Sequence, residues 1–223
     1  MVLYEHTHRL SLMERIDILP TTIFKYDIPD DIHKSIMDSI DKLDIDSVKN
    51  RESGAPYYGK STFGKESLHR QNDWKFLCDF INPKLKEVAT EVKYTLFEDI
   101  KVCLMWANRS TENQWHHAHE HQWSILSGII YLEGESGNTW FSEPNAYSLE
   151  KRLLVRKEEG PLETVHVHEP VNKTMLIFPS LLRHSVSENF STKPRTTISF
   201  NSFFDGKVGN EDELLYGLRL KLL

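Results

Sequence analysis

Between about residue 98 and residue 204, apolar side chains recur with period two in short runs, and turn-forming residues separate the runs. That period puts successive side chains on opposite faces of an extended chain, so each run is read as a β-strand. The first run is the clearest: Ile100, Val102, Leu104 and Trp106 alternate with Lys101, Cys103, Met105 and Ala107. Further strands are expected at His116–Trp123, Ile125–Leu132, Thr139–Ser142, Thr164–Val171, Lys173–Phe178, His184–Val186 and Arg195–Phe204. Turn signals at Glu135–Gly137, Pro144-Asn145, Gly160-Pro161 and Asn172 divide them. Short strands at this spacing imply an antiparallel sandwich or barrel.

The residues before this block read differently. A short strand is expected around Thr21–Tyr26, then a helix from Pro29-Asp30-Asp31 with Ile32, Ile36, Ile40 and Leu43 on one stripe. Asp46–Ser67 has turn composition. A second helical stretch starts near Asn72-Asp73 and carries Trp74, Leu77, Phe80 and Ile81. Asn82-Pro83 is expected to end it and to start a third helix with Leu85, Val88 and Val92 inward, because Asn caps helices and Pro suits the first helical position. The domain organisation is a leader over 1–17, one domain over 18–206 (helices about 29–44 and 72–95, strands about 98–204) and a tail over 207–223.

With 223 residues the chain fills one core rather than two. Its net charge of -6 and lack of a basic cluster argue against a nucleic-acid partner. Cys78 and Cys103 have neither metal-ligand nor disulfide-framework spacing and read as buried free thiols of a reducing compartment. The start, MVLYEHTHRL, is too short and polar for a signal peptide, and no window approaches a membrane span. A cytoplasmic protein is expected; its oligomeric state is unreadable.

The segment HHAHEHQWSILSGIIYL, His116 to Leu132, packs four of the eleven histidines into six residues. On a strand, His117, His119 and His121 would project together. A further ligand is needed for a divalent metal, and His184 supplies a candidate. Isolated His-x-His pairs are usually solvent-facing, and His166-Val167-His168 is read that way. Eleven residues after His184, Arg195 opens a strand on which Thr197, Ser199 and Asn201 share its face, while Ile198 and Phe200 take the other. A guanidinium with a hydroxyl two places on suits a carboxylate clamp; for a lone Arg, a surface ion pair is the commoner use.

Taken together, ILPTTI (18–23), Trp106–Asn108, HEHQWSILSGIIYL (119–132), FSEP (141–144), FPSLLRHSV (178–186) and RTTISFN (195–201) resemble a family of 2-oxoglutarate/Fe(II)-dependent oxygenases common in phages and bacteria. The resemblance implies a double-stranded β-helix, or jelly roll, behind the N-terminal helices. It places Fe(II) on His119, His121 and His184, with His117 as a neighbour. It assigns the far carboxylate of 2-oxoglutarate to Arg195, helped by Tyr131 and Thr197, with Asn108, Trp106 and Trp140 as pocket candidates. The wider superfamily uses two His and one carboxylate; no acidic residue follows these histidines at the required spacing, so Glu120 or Glu143 is the alternative to His121. The implied reaction consumes dioxygen and 2-oxoglutarate, gives succinate and carbon dioxide, and hydroxylates a small-molecule or peptidyl substrate.

Two other readings are open at this point. A metal-dependent cupin enzyme would use Pro179 and His184 but would have no use for Arg195. A jelly-roll binding or structural module would keep only the fold. The charged run Glu150–Glu159 is read as a solvated loop, with a lid as the alternative.

Overall fold

The computed structural model describes residues 21–43, 45, 59–94, 97–142, 165–209 and 218–222. It is built in three layers: helices, a seven-stranded antiparallel sheet and a four-stranded antiparallel sheet. The larger sheet holds, in order, β1 (Phe24–Asp27), β8 (Thr174–Pro179), β5 (Leu126–Glu133), β10 (Arg195–Val208), β3 (Phe97–Ser110) and β2 (Lys60–Ser61). β11 (Leu218–Leu220), inside the segment read as a tail, pairs with the end of β10. The smaller sheet is β4 (His116–His119), β9 (His184–Val186), β6 (Thr139–Ser142) and β7 (Val165–His168).

The helical layer is α1 (Asp30–Ile40), two 3-10 turns at Leu68–Arg70 and Asn72–Trp74, and α2 (Lys75–Glu91). Asp30 and Asp31 in the first turn of α1 suit the positive end of its dipole. Its stripe buries Ile36 and Ile40. The helix stops there, short of Leu43. Leu43 packs on the core from the turn that follows, so an apolar residue at helical spacing is delivered without a helix.

α2 runs unbroken through Asn82-Pro83, against the expected boundary. Pro83 forfeits one intrahelical hydrogen bond. In return Leu77, Ile81, Leu85 and Val88 stay on one buried stripe against the large sheet. Burying several such side chains stabilises by roughly 1.5–3 kcal/mol each, which outweighs the local cost. Asn82 does not cap a helix; its side-chain oxygen accepts from the Val102 amide at 3.0 Å and ties α2 to β3.

β3 also departs from simple alternation. Asn201 pairs with Leu104 and Ser202 with Val102, leaving Cys103 as an extra residue. This bulge switches faces. Ile100 and Val102 point into the helix-side core before it, and Met105 and Ala107 after it. Trp106 and Asn108 are thereby turned toward the space between the sheets. On β10 the expected division holds: Ile198 and Phe200 enter the helix-side core.

Cys78 and Cys103 are free and half-buried rather than buried, and burial lifts both thiols to about 11. Among the described residues no helix is long and apolar enough to cross a membrane. The leader over 1–17 and the charged run Glu150–Glu159 lie outside the described residues.

Candidate metal centre

The two sheets meet across a small apolar layer: Ile129, Tyr131, Leu176 and Phe178 from the larger sheet, and Phe141 with Leu182. Phe141 and Phe178 pack edge to face, 5.0 Å between centroids. Beside this layer stand His119, His121 and His184, with one potential ligand atom from each lying within 4.8 Å of the others. His119 ends β4 directly opposite His184, and Phe141 faces His184 from its other side. His121 lies past the end of β4; its amide donates to the Ser180 carbonyl at 2.9 Å, which fixes it against the turn after β8.

The expected strand His116–Trp123 therefore ends early, and His117 does not join the cluster. Between β4 and β9 a step of three residues, His116 to His119, faces a step of two, Val186 to His184. The additional residue shifts the alternation by one. His117 is exposed, while the ring of His116 sits 4.3 Å from that of His119. Period-two counting chose the wrong neighbour for this reason.

Two of the three rings have fixed tautomers. His119 Nδ1–H donates to the His117 carbonyl at 3.0 Å, and His184 Nδ1–H to the Leu182 carbonyl at 2.8 Å. A carbonyl only accepts, so both rings keep a bare Nε2. His184 Nε2 lies 3.2 Å from His121 Nε2. Two imidazoles bound to one ion at about 2.1 Å and at right angles stand about 3 Å apart, so this separation fits a shared ion. Burial, reinforced by the neighbouring His119, lowers His121 to about 4 and His184 to about 3; burial also lowers His119. All three are neutral near pH 7, the form a cation requires.

No carboxylate belongs to this cluster among the described residues. Glu120, one of the two acidic alternatives, is exposed and paired with Arg183 at 3.6 Å. Glu143, the other, lies outside the described residues.

Arg195 is buried in the same inter-sheet space. Its guanidinium carbon lies 5.4 Å from the centre of the Tyr131 ring. Its Nη2 points at Thr139 Oγ1 at 3.5 Å, which in turn shares a 2.7 Å hydrogen bond with the Tyr131 hydroxyl. Burial draws the guanidinium below its usual value, opposed by Tyr131, and pushes the Tyr131 hydroxyl up. Among the described residues Arg195 Nε and Thr197 Oγ1 are buried without a partner, as is His168 Nε2 on β7. Buried polar atoms are normally satisfied, so this guanidinium nitrogen and a hydroxyl two places on along β10 leave donors available to an anion. Gly134 and Gly137 cradle the Arg195 side chain. Gly137 has φ +86°, and a Cβ there would stand 2.8 Å from Arg195 Cδ.

The other pocket candidates divide. Trp106 packs on His121, ring centroids 5.7 Å apart, and carries Phe63 edge-on at 5.2 Å. Asn108 is tied off laterally: its oxygen accepts from Ser61 at 2.7 Å and its nitrogen donates to Ser199 at 3.1 Å. Trp140, expected in the pocket, is 43% exposed; its neighbour Phe141 takes the inward face, which turns Trp140 out. His116, Thr139 and the glycine cradle were missed. The turn signal at Glu135–Gly137 marked a bend but gave no sign that an arginine from β10 lies on it.

Residues 104–201 match the family model described as "Putative 2OG-Fe(II) oxygenase". No curated protein is similar enough to match. The structure is similar to HygX from Streptomyces hygroscopicus, solved with nickel, 2-oxoglutarate and hygromycin B (11% identity, 82% of each chain, TM-score 0.53). It is similar to a Pseudomonas putida prolyl-4-hydroxylase (11% identity, 82% of this chain and 87% of that one, TM-score 0.51). It is also similar to SnoK, a non-heme alpha-ketoglutarate-dependent carbocyclase from nogalamycin biosynthesis (10% identity, 91% and 90%, TM-score 0.58). At such identities the likeness is one of fold. The matched segment contains His119, His121, His184 and Arg195. The match covers 98 of the 223 residues, less than half of the chain.

Proposed function

We propose that His119, His121 and His184 hold ferrous iron through Nε2. Arg195, Tyr131 and Thr197 then take the distal carboxylate of 2-oxoglutarate, and the enzyme hydroxylates a C–H bond of a small-molecule or peptidyl substrate in the cytoplasm. The observation that carries this reading is the pairing of two features in one inter-sheet space: a neutral imidazole triad and a buried guanidinium whose Nε has no partner among the described residues. A cupin enzyme has no need of the second feature, and a structural module needs neither.

Iron bound here, with 2-oxoglutarate and dioxygen, supplies the oxidation of the substrate C–H, with succinate and carbon dioxide as the other products. The chain's own groups orient and shield. Arg195 and Thr197 offer a charged fork and a hydroxyl to one carboxylate, which fixes how the cosubstrate lies. The carbonyls of His117 and Leu182 hold two rings in the liganding tautomer. Trp106, Phe141 and Phe178 keep water from the triad. Three imidazoles bring no negative charge, so the anionic cosubstrate supplies the counter-charge, and metal and 2-oxoglutarate bind with positive coupling.

The strand order supports a jelly roll. In chain order β3, β4, β5 and β6 alternate between the sheets, β7 pairs antiparallel with β6, and β8, β9 and β10 alternate again. This path brings His119 and His184 side by side from distant parts of the sequence.

The test is oxygen uptake and succinate formation by the purified protein, reconstituted anaerobically with Fe(II) and then given 2-oxoglutarate. Slow 2-oxoglutarate-dependent uptake is expected without any substrate, and it should vanish in His184→Ala. Arg195→Ala should raise the 2-oxoglutarate KM by two orders of magnitude. Uptake indifferent to 2-oxoglutarate, or an unchanged KM in that variant, overturns the assignment.

A further inference from the structure

Of the three metal-facing histidines, only His121 does not have its remote nitrogen on a backbone carbonyl. Its Nδ1 lies 3.3 Å from the atom placed as the Asn201 side-chain nitrogen, with the amide oxygen placed toward Ser127. The other end of that amide lies 2.8 Å from Ser127 Oγ, Ser127 Oγ lies 2.8 Å from Ser180 Oγ, and Ser180 Oγ lies 2.8 Å from Ser124 Oγ. Ser124 Oγ reaches two backbone carbonyls, Leu126 at 3.2 Å and Ser202 at 3.1 Å. Ser127, Ser180 and Asn201 are all buried.

Counting protons along this chain fixes its direction. Carbonyl oxygens only accept, so the Ser124 proton goes to them. The Ser180 proton must then fill the contact with Ser124, and the Ser127 proton the contact with Ser180. Nothing is left for the contact between Ser127 and Asn201 unless Asn201 turns its nitrogen toward Ser127. The two ends of an amide are assigned by such a network, and here it selects nitrogen on the serine side and oxygen on the histidine side. His121 must then carry its proton on Nδ1 and leave Nε2 bare. With the opposite amide orientation His121 would be protonated at Nε2, facing His184 Nε2 across 3.2 Å, and would be closed to a metal.

We infer that Ser124, Ser180, Ser127 and Asn201 form a relay of positioning residues that sets the tautomer of His121. All three Nε2 lone pairs are thereby aimed at one point before any cation arrives. A site without a carboxylate gains its metal affinity from this preorganisation, since remote hydrogen bonds to liganding imidazoles typically contribute 10–100-fold. The inference rests on the triad being the metal site and adds a second set of residues that controls it.

Two measurements on the metal-free protein and its Co(II) complex, both without 2-oxoglutarate, test the relay. Long-range ¹H–¹⁵N correlation of histidine-labelled apoprotein should show His121, with His119 and His184, as Nδ1–H. Co(II) titration followed by visible absorption should give a Kd raised about 10-fold in Ser127→Ala and 10- to 100-fold in Asn201→Leu. Asn201→Asp, whose carboxylate can only accept, should keep the Nδ1–H form and bind Co(II) within a few-fold of the parent. An Nε2–H His121 in the parent apoprotein overturns the relay. So does a parent-like Kd in both Ser127→Ala and Asn201→Leu, whatever their stability. A parent that binds no Co(II) while showing His121 as Nδ1–H refutes the metal assignment instead, so the two failures are distinct.

Discussion

Arg195 is a guanidinium sealed between two sheets with no carboxylate beside it among the described residues; its nearest polar companions are Thr139 and Tyr131. In the cosubstrate-free protein that charge is a cost. Burying an ion costs several kcal/mol even after relaxation, and replacing buried ionic groups by apolar residues of similar volume often stabilises by about 1–4 kcal/mol. Arg195→Met should therefore stabilise the ligand-free protein by about 2 kcal/mol, although it removes a residue of the proposed site. For a domain of this size about 1 kcal/mol corresponds to 2–4 °C, so the melting temperature should rise by roughly 4–8 °C. The parent, in turn, should gain about 2.7 kcal/mol from 2-oxoglutarate at a hundred times its Kd, or roughly 5–11 °C. The variant should gain almost nothing. Differential scanning fluorimetry with Mn(II), with and without 2-oxoglutarate, reads both arms. Arg195→Met melting below the parent without cosubstrate refutes the idea of a stored charge cost. A full 2-oxoglutarate shift in that variant refutes the clamp.

Gly137→Ala forces a Cβ into the Arg195 side chain at a residue with φ +86°, so it should weaken 2-oxoglutarate binding about 10-fold by displacing the clamp, read as Kd by calorimetry with Mn(II). Pro83→Ala restores a helical N–H at an exposed position of α2; the gain, at most about 3 kcal/mol and offset by about 1 kcal/mol of added unfolded-chain entropy, should raise the urea midpoint. A lowered midpoint would mean that the helix depends on the ring. His116 and His121, held at about 4, and His184, at about 3, chiefly by burial, stay neutral in the folded protein where the unfolded chain takes up protons. Their folded values lie below the unfolded 6.5, so this contribution is complete above about pH 6.5 and is lost as pH falls toward 4 and below. Unfolding by urea in EDTA from pH 7 to 4 should show that decline, with a shallower slope in His121→Gln.

The residues that the sequence alone brought forward are those whose roles need only local alternation or chemical type. Ile198 and Phe200 against Arg195, Thr197 and Asn201 is a division that any unbroken strand imposes, and β10 keeps it across this stretch. His184 behind a buried apolar strand, and an arginine eleven residues later, carry their chemistry wherever they are placed.

What the sequence could not supply depended on contacts between distant segments. The bulge at Cys103 exists because β10 pairs with β3 on both sides of it, and it alone turns Trp106 toward His121. The bulge in β4 exchanges His117 for His116 in the same way. The helix through Pro83 survives because its buried stripe spans the proline, a sum over contacts that no local propensity contains. The relay from Ser124 to Asn201 bonds residues up to 74 positions apart, with donors and acceptors countable only once the turn after β8 lies against β5 and β10. Residue type and period determined which groups this chain has available. The pairing of its strands decided which of them meet, because one additional residue in a ladder reverses every side chain beyond it.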